Sequence, residues 1–180
     1  FPTHFLFAQL AKAIEYLHIT AHVVHRDLKL ENVLVDHHTG HVTLIDFGPR
    51  PPLHAPARRR LCGQAGSPPS WAPAVCRRPF PSVFDGYASD MWSLGVVLYA
   101  MCASHLPHPE STLVELCGHF DVVEEKQTKQ FIAPVDSFFI GAKRYFGDST
   151  RALISGRLTM NVQGRYTIDE VMQSTFLQGL

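Results

Sequence analysis

The stretch Val23-Val24-His25-Arg26-Asp27-Leu28-Lys29-Leu30-Glu31-Asn32-Val33-Leu34-Val35-Asp36-His37-His38-Thr39-Gly40-His41-Val42-Thr43-Leu44-Ile45-Asp46-Phe47-Gly48 decides the reading of this 180-residue chain. Two short apolar runs, 33–35 and 42–45, flank a turn of Asp36, His37, His38, Thr39 and Gly40, the pattern of a β-hairpin. In a symmetric hairpin the facing residue numbers sum to about 77 or 78, which sets Asn32 beside Asp46. Asp27 lies five residues upstream on the same approach. Three oxygen-bearing side chains thus converge on the open end of one hairpin. That is the need of a hard cation such as Mg²⁺, which takes one or two protein oxygens and completes its shell with phosphate and water.

These residues resemble the protein kinase family. His25-Arg26-Asp27-Leu28-Lys29 with Asn32 is similar to the catalytic loop, and Asp46-Phe47-Gly48 is similar to the metal-binding triplet that follows it. A chance His-Arg-Asp is cheap; the combination with Asn five later and Asp-Phe-Gly nineteen later is not. Lys29 resembles serine/threonine rather than tyrosine kinases, with the calmodulin-dependent and AMP-activated-like group as the candidate subgroup. The resemblance implies ATP and Mg²⁺ as cofactors and Ser/Thr-bearing proteins as substrates. It also implies that Asp27 accepts or orients the substrate hydroxyl proton, that Lys29 offsets phosphoryl charge, and that Asn32 and Asp46 hold Mg²⁺. Arg26 is carried over as a catalytic-loop residue, and Lys29 also as nucleotide-binding. His25 is carried over in a structural role.

Upstream, Leu6, Leu10, Ile14 and Leu17 make a helical stripe over residues 3–18, with Lys12 and Glu15 outside it. This is a core-packing helix that leads into the loop. Downstream, nine of thirteen prolines fall between Pro49 and Pro81. No acid occurs between Asp46 and Asp85, while Arg50, Arg58, Arg59, Arg60, Arg77 and Arg78 give that interval a charge of +6. An extended basic loop is expected there. By resemblance, 49–84 is the activation segment and Ser67 marks its substrate-facing end. Two departures stand out. Ala74 replaces the family's glutamate, and Pro49, Pro51 and Pro52 remove backbone donors where the family pairs a short strand. Between Pro49 and Gly66 there is no Ser, Thr or Tyr, so no phosphate can be added there to order the loop. Nucleic-acid binding by the arginines is disfavoured, since no aromatic interleaving accompanies them.

The run Met91 to Met101 is apolar on nearly all sides and reads as a buried helix with Ser89 and Asp90 at its start. In the family an aspartate matching Asp90 is expected to bond the catalytic-loop backbone, and Trp92 is core. Leu113, Val114 and Leu116 fit a short helix, but 107–148 carries no assignable function. His105 and His108 read as surface histidines, since two further metal ligands are not evident. Leu153, Ile154 and Leu158 form a helical stripe interrupted by Gly156, at a cost near 1 kcal/mol against Ala. Thr167-Ile168-Asp169-Glu170 has the spacing of a capping box that opens a last helix through Val171, Met172 and Phe176. Arg165 sits where the family pairs an arginine with the glutamate missing at Ala74, so it is expected to lack its partner.

Composition is globular, with 46% apolar residues and zero formal net charge, and so without a bias toward nucleic acid or membrane. No apolar run long enough to span a bilayer and no signal peptide occurs, so a cytoplasmic or otherwise intracellular protein is expected. Cys62, Cys76, Cys102 and Cys117 lack metal or scaffold spacing and read as free thiols. The expected fold is α+β, mainly α-helical, a kinase-like C-terminal lobe spanning 1–180 with one small hairpin. No Gly-x-Gly-x-x-Gly and no Val-Ala-Ile-Lys occurs, so an upstream or separate N-terminal lobe is the implied partner, and the Phe1 start reads as a partial domain. The alternative is a truncated, inactive kinase-like binding module.

Overall fold

The computed structural model describes residues 1–46, 60–62, 83–107, 146–157 and 162–178. Helix α1 spans Thr3–Glu15, its first amides taken by the Pro2 carbonyl at 3.1 Å (Phe5) and 3.3 Å (Leu6). Its buried face is Phe7, Leu10, Ala11 and Ile14. The expected stripe is therefore shifted by one residue at its start: Phe7 is buried and Leu6 only half-buried. Both lie within one turn of Leu10, and burying the larger ring removes more apolar area from water. The α-helix also ends earlier than expected. Tyr16–Thr20 form a π-turn closed by the Ala21 amide on the Tyr16 carbonyl at 2.9 Å.

A 3₁₀ turn, Leu30–Asn32, leads into β1, Val33–Val35, which pairs antiparallel with β2, Val42–Leu44. The register is Val33↔Leu44, Leu34↔Thr43 and Val35↔Val42. Asn32 therefore faces Ile45, whose amide donates to the Asn32 carbonyl at 2.9 Å, and Asp46 stands one residue further on. The turn is shaped by Asp36, whose Oδ1 accepts from His38 N at 2.8 Å and Thr39 N at 3.1 Å. Gly40 has φ +70°, and a Cβ there would sit 2.7 Å from the Phe1 ring. Gln9 ties the hairpin to α1, donating to the Gly40 carbonyl at 2.9 Å and accepting from Val42 N at 3.1 Å.

Within the Pro/Arg-rich interval, β3, Arg60–Cys62, pairs antiparallel with β4, Val83–Asp85. A paired strand was not expected there. The four prolines at 49, 51, 52 and 56 stop short of Arg60, so the 60–62 amides remain free to pair. The Pro49–Pro52 run, Ser67 and Ala74 lie outside the described residues.

Helix α2, Gly86–Ala103, is longer than its apolar run and starts earlier than Ser89. Its cap is Asp85, whose side chain accepts from Ala88 N at 3.1 Å. Ser104 ends it in the left-handed region at φ 61°. Met91 through Ala100 are all buried, because α2 packs against α1 on one side and α3, Asp148–Arg157, on another. Leu153 and Ile154 are buried apolar residues of α3, and Leu158 lies outside the described residues. Gly156 has a packing reason: a Cβ there would lie 2.4 Å from the Tyr166 ring. The expected last helix is two: α4, Ile168–Met172, opened by the Thr167–Glu170 capping box, and α5, Thr175–Gln178. The Gln173–Ser174 turn between them swings Phe176 edge-on to Phe7, ring centroids 5.8 Å apart. Residues 108–145, with His108 and the short helix expected near Leu113, lie outside the described residues; His105 is exposed. Cys102 is a free thiol.

Candidate active site

The loop between the π-turn and the 3₁₀ turn, residues 21–29, carries no regular structure of its own, so its backbone polar groups need outside partners. Asp90, in the second turn of α2, supplies two of them. Its Oδ2 accepts from His25 N at 2.6 Å and its Oδ1 from Arg26 N at 2.8 Å. A third donor comes from α1's end, His18 Nε2, 2.9 Å from Oδ2. The carboxylate is 1% exposed, which is tolerable because each oxygen is hydrogen-bonded. Arg26 has φ 72°, a left-handed conformation costly for a non-glycine residue and held here by its amide bond to Asp90.

His25 is fully buried and works as a spacer. Its Nδ1 accepts from Asp27 N at 3.3 Å, so Nε2 carries the proton and donates to the Ile45 carbonyl at 3.1 Å. One imidazole therefore joins the loop to the end of the hairpin. Asn32, 5% exposed, closes the same loop from the other side. Its Nδ2 donates to the Asp27 carbonyl at 2.7 Å and to Asp27 Oδ2 at 3.2 Å. Lys29 Nζ lies 3.1 Å from the same Oδ2. The two side chains are 27% and 15% exposed, so this ion pair adds little stability; its consequence is position.

Asp27 is thus brought into contact with both Lys29 and Asn32. Asp46 follows Ile45 directly, exposed and with φ 64°, at the same open end of the hairpin. Ser67 lies outside the described residues.

Arg165 is not part of this cluster and bonds the first turn of α2. It is 6% exposed, its Nη1 donates to the Ala88 carbonyl at 2.6 Å, and its guanidinium lies 5.1 Å from the Trp92 ring centre. Burial pulls its pKa from 12.5 to about 10, against the opposing charge of Asp85. The expectation of a cation without a partner is corrected: a backbone carbonyl, an aromatic face and a nearby carboxylate surround it. The sequence pattern missed His18 and Asp85. His18 had a signal, being a polar residue one turn after Ile14 on the buried face of α1.

Comparison with known proteins places this arrangement. The protein kinase domain family matches residues 2–177. CBL-interacting serine/threonine-protein kinase 15 of Arabidopsis thaliana is 35% identical over 180 residues, covering 97% of this chain and 37% of that protein. CBL-interacting serine/threonine-protein kinase 20 of the same plant is 33% identical over 174 residues, 96% of this chain and 35% of that protein. Serine/threonine-protein kinase chk1 of Schizosaccharomyces pombe is 29% identical over 174 residues, 96% of this chain and 32% of that protein. The chain thus spans about a third of the length of these curated relatives. With a family match over nearly all its residues and serine/threonine kinases as relatives, the chain belongs to the protein kinase family.

Proposed function

We propose that this chain forms the C-terminal lobe of an ATP-dependent protein serine/threonine kinase, transferring the γ-phosphoryl group of ATP to Ser or Thr hydroxyls of protein substrates. The observation that carries the reading is the contact of Asp27 with both Lys29 and Asn32 at the open end of the hairpin. Residues 49–84 act as its activation segment, with Ser67 facing the substrate. An N-terminal lobe bearing the family's glycine-rich loop and lysine completes the nucleotide cleft.

The donor set fits Mg²⁺. Asn32 spends its amide nitrogen on Asp27, which leaves Oδ1 as its acceptor end, and Asp46 adds an exposed carboxylate. Among the described residues no group of three or more His, Cys, Asp or Glu forms a cage. Two hard oxygens, with phosphate and water completing the shell, suit Mg²⁺ shared with a nucleotide. Bound there, Mg²⁺ neutralises phosphate charge. Asp27, held by Asn32, orients the attacking hydroxyl and takes its proton. Lys29, held beside Asp27, offsets charge on the transferring group. His25 and Asp90 keep the loop in place. The alternative of an inactive binding module is disfavoured, because a degraded site has no reason to keep this contact set.

The test is phosphoryl transfer from ATP to a generic Ser/Thr protein substrate by a parent protein in which an N-terminal lobe accompanies this chain. Asp27→Ala lowers kcat by about 10²–10⁴-fold with nucleotide affinity nearly kept. Asp46→Asn weakens Mg²⁺ dependence as well. If both variants lose only protein-substrate affinity, the role assignments fail; if the wild-type protein transfers nothing, the binding-module reading replaces this one.

A further inference from the structure

A cavity of about 400 Å³ opens between the π-turn that ends α1, the first turn of α2 and the approach to α4. Its volume falls in the range of about 300–1,000 Å³ common to ligand sites. Two carboxylates, Asp85 and Asp169, line it against one guanidinium, Arg165. That guanidinium is engaged by the Ala88 carbonyl and offset by Asp85, so the charge presented to a visitor is the negative one of Asp169, exposed in the first turn of α4. The walls add two phenol rings, Tyr87 and Tyr166, a buried floor of Met91, and an apolar rim of Ile19 and Val162. Ile19 is 51% and Val162 36% exposed, so both offer apolar surface beside the cavity.

We propose that this cavity docks an arginine or lysine side chain presented by a peptide or protein partner. Carboxylate, aromatic faces and aliphatic rim are the three surfaces such a side chain needs: a counter-charge for its head, rings for cation–π contact, and apolar cover for its stem. The site does not depend on phosphoryl transfer. It is nonetheless joined to the catalytic loop, because His18 lines the cavity and binds Asp90, which holds the His25 and Arg26 amides. An occupant that rigidifies His18 therefore slows opening of the loop.

The tetrapeptide acetyl-Leu-Arg-Arg-Leu-amide, titrated calorimetrically into the protein, tests this against its citrulline counterpart, which keeps the shape and lacks the charge. The arginine peptide binds, and citrulline, Asp169→Lys and Ile19→Ser each weaken binding by roughly tenfold, about 1.4 kcal/mol. Hydrogen exchange of the His25 and Arg26 amides slows when the peptide is present. Asp169 is exposed, so Asp169→Lys is expected to melt as the wild type does, and Ile19→Ser, which removes apolar cover without adding charge, gives a second variant from another element. Equal affinity for the two peptides, or affinity unchanged by both variants, overturns the proposal. So does self-association of the chain that Asp169→Lys abolishes, which would make a second copy the occupant.

Discussion

Asp90 Oδ2 accepts the backbone amide of His25 at 2.6 Å, a bond between residues 65 apart in sequence. With the Arg26 and His18 bonds it makes one buried carboxylate the anchor of the loop that carries His25 and Arg26. Asp90→Ala strands three donors in a dry interior and is expected to cost roughly 3–5 kcal/mol. Asp90→Asn costs less but still turns an amide N–H toward a donor. Urea unfolding of the two variants checks the order; equal, small losses would show that the loop finds water instead.

At Gly156 the packing reverses the sign that helix propensity predicts. Propensity alone has Ala stabilise α3 by about 1 kcal/mol. The Tyr166 ring lies where the new methyl must go, and Tyr166 N already bonds the Gly156 carbonyl at 3.0 Å. Gly156→Ala is expected to destabilise by about 1–3 kcal/mol, and to become neutral or stabilising in a Tyr166→Ala background. Thermal melts of the four proteins of this cycle measure the coupling.

Arg165 makes the opposite case to a stranded charge. Arg165→Met keeps the apolar contact with Trp92 but removes the guanidinium bond to the half-buried Ala88 carbonyl. A loss of about 1–3 kcal/mol is expected, read by urea unfolding near neutral pH. A gain in stability would mean that the cost of burying the guanidinium outweighs its bonds.

The hairpin turn responds to acid. Amides of His38 and Thr39 hold the Asp36 carboxyl below its ordinary 3.8. A carboxyl with a depressed folded-state pKa stabilises above its unfolded value, and that contribution is lost as pH falls through the folded one. The His38 and Thr39 amide resonances are therefore expected to shift together below about pH 4, and Asp36→Ala to abolish the shift.

What the sequence settles by itself is local. Two short apolar runs around Asp36–Gly40 dictate the hairpin, while its register, left between two neighbouring values by the sequence, is fixed in the structure with Asn32 facing Ile45 and Leu44 in the core. The Thr167–Glu170 spacing dictates the capping box, and His25 to Asp46 dictate which side chains share the open end. What tertiary structure alone decides is set by contacts distant in the chain. The Asp85 cap lengthens α2, and the π-turn carries His18 to Asp90. A carbonyl and a ring make a buried Arg165 tolerable, and Tyr166 turns Gly156 from a helix weakness into a requirement. Periodicity records which face of an element is dry; it carries no record of which partner from another element fills the space beyond that face.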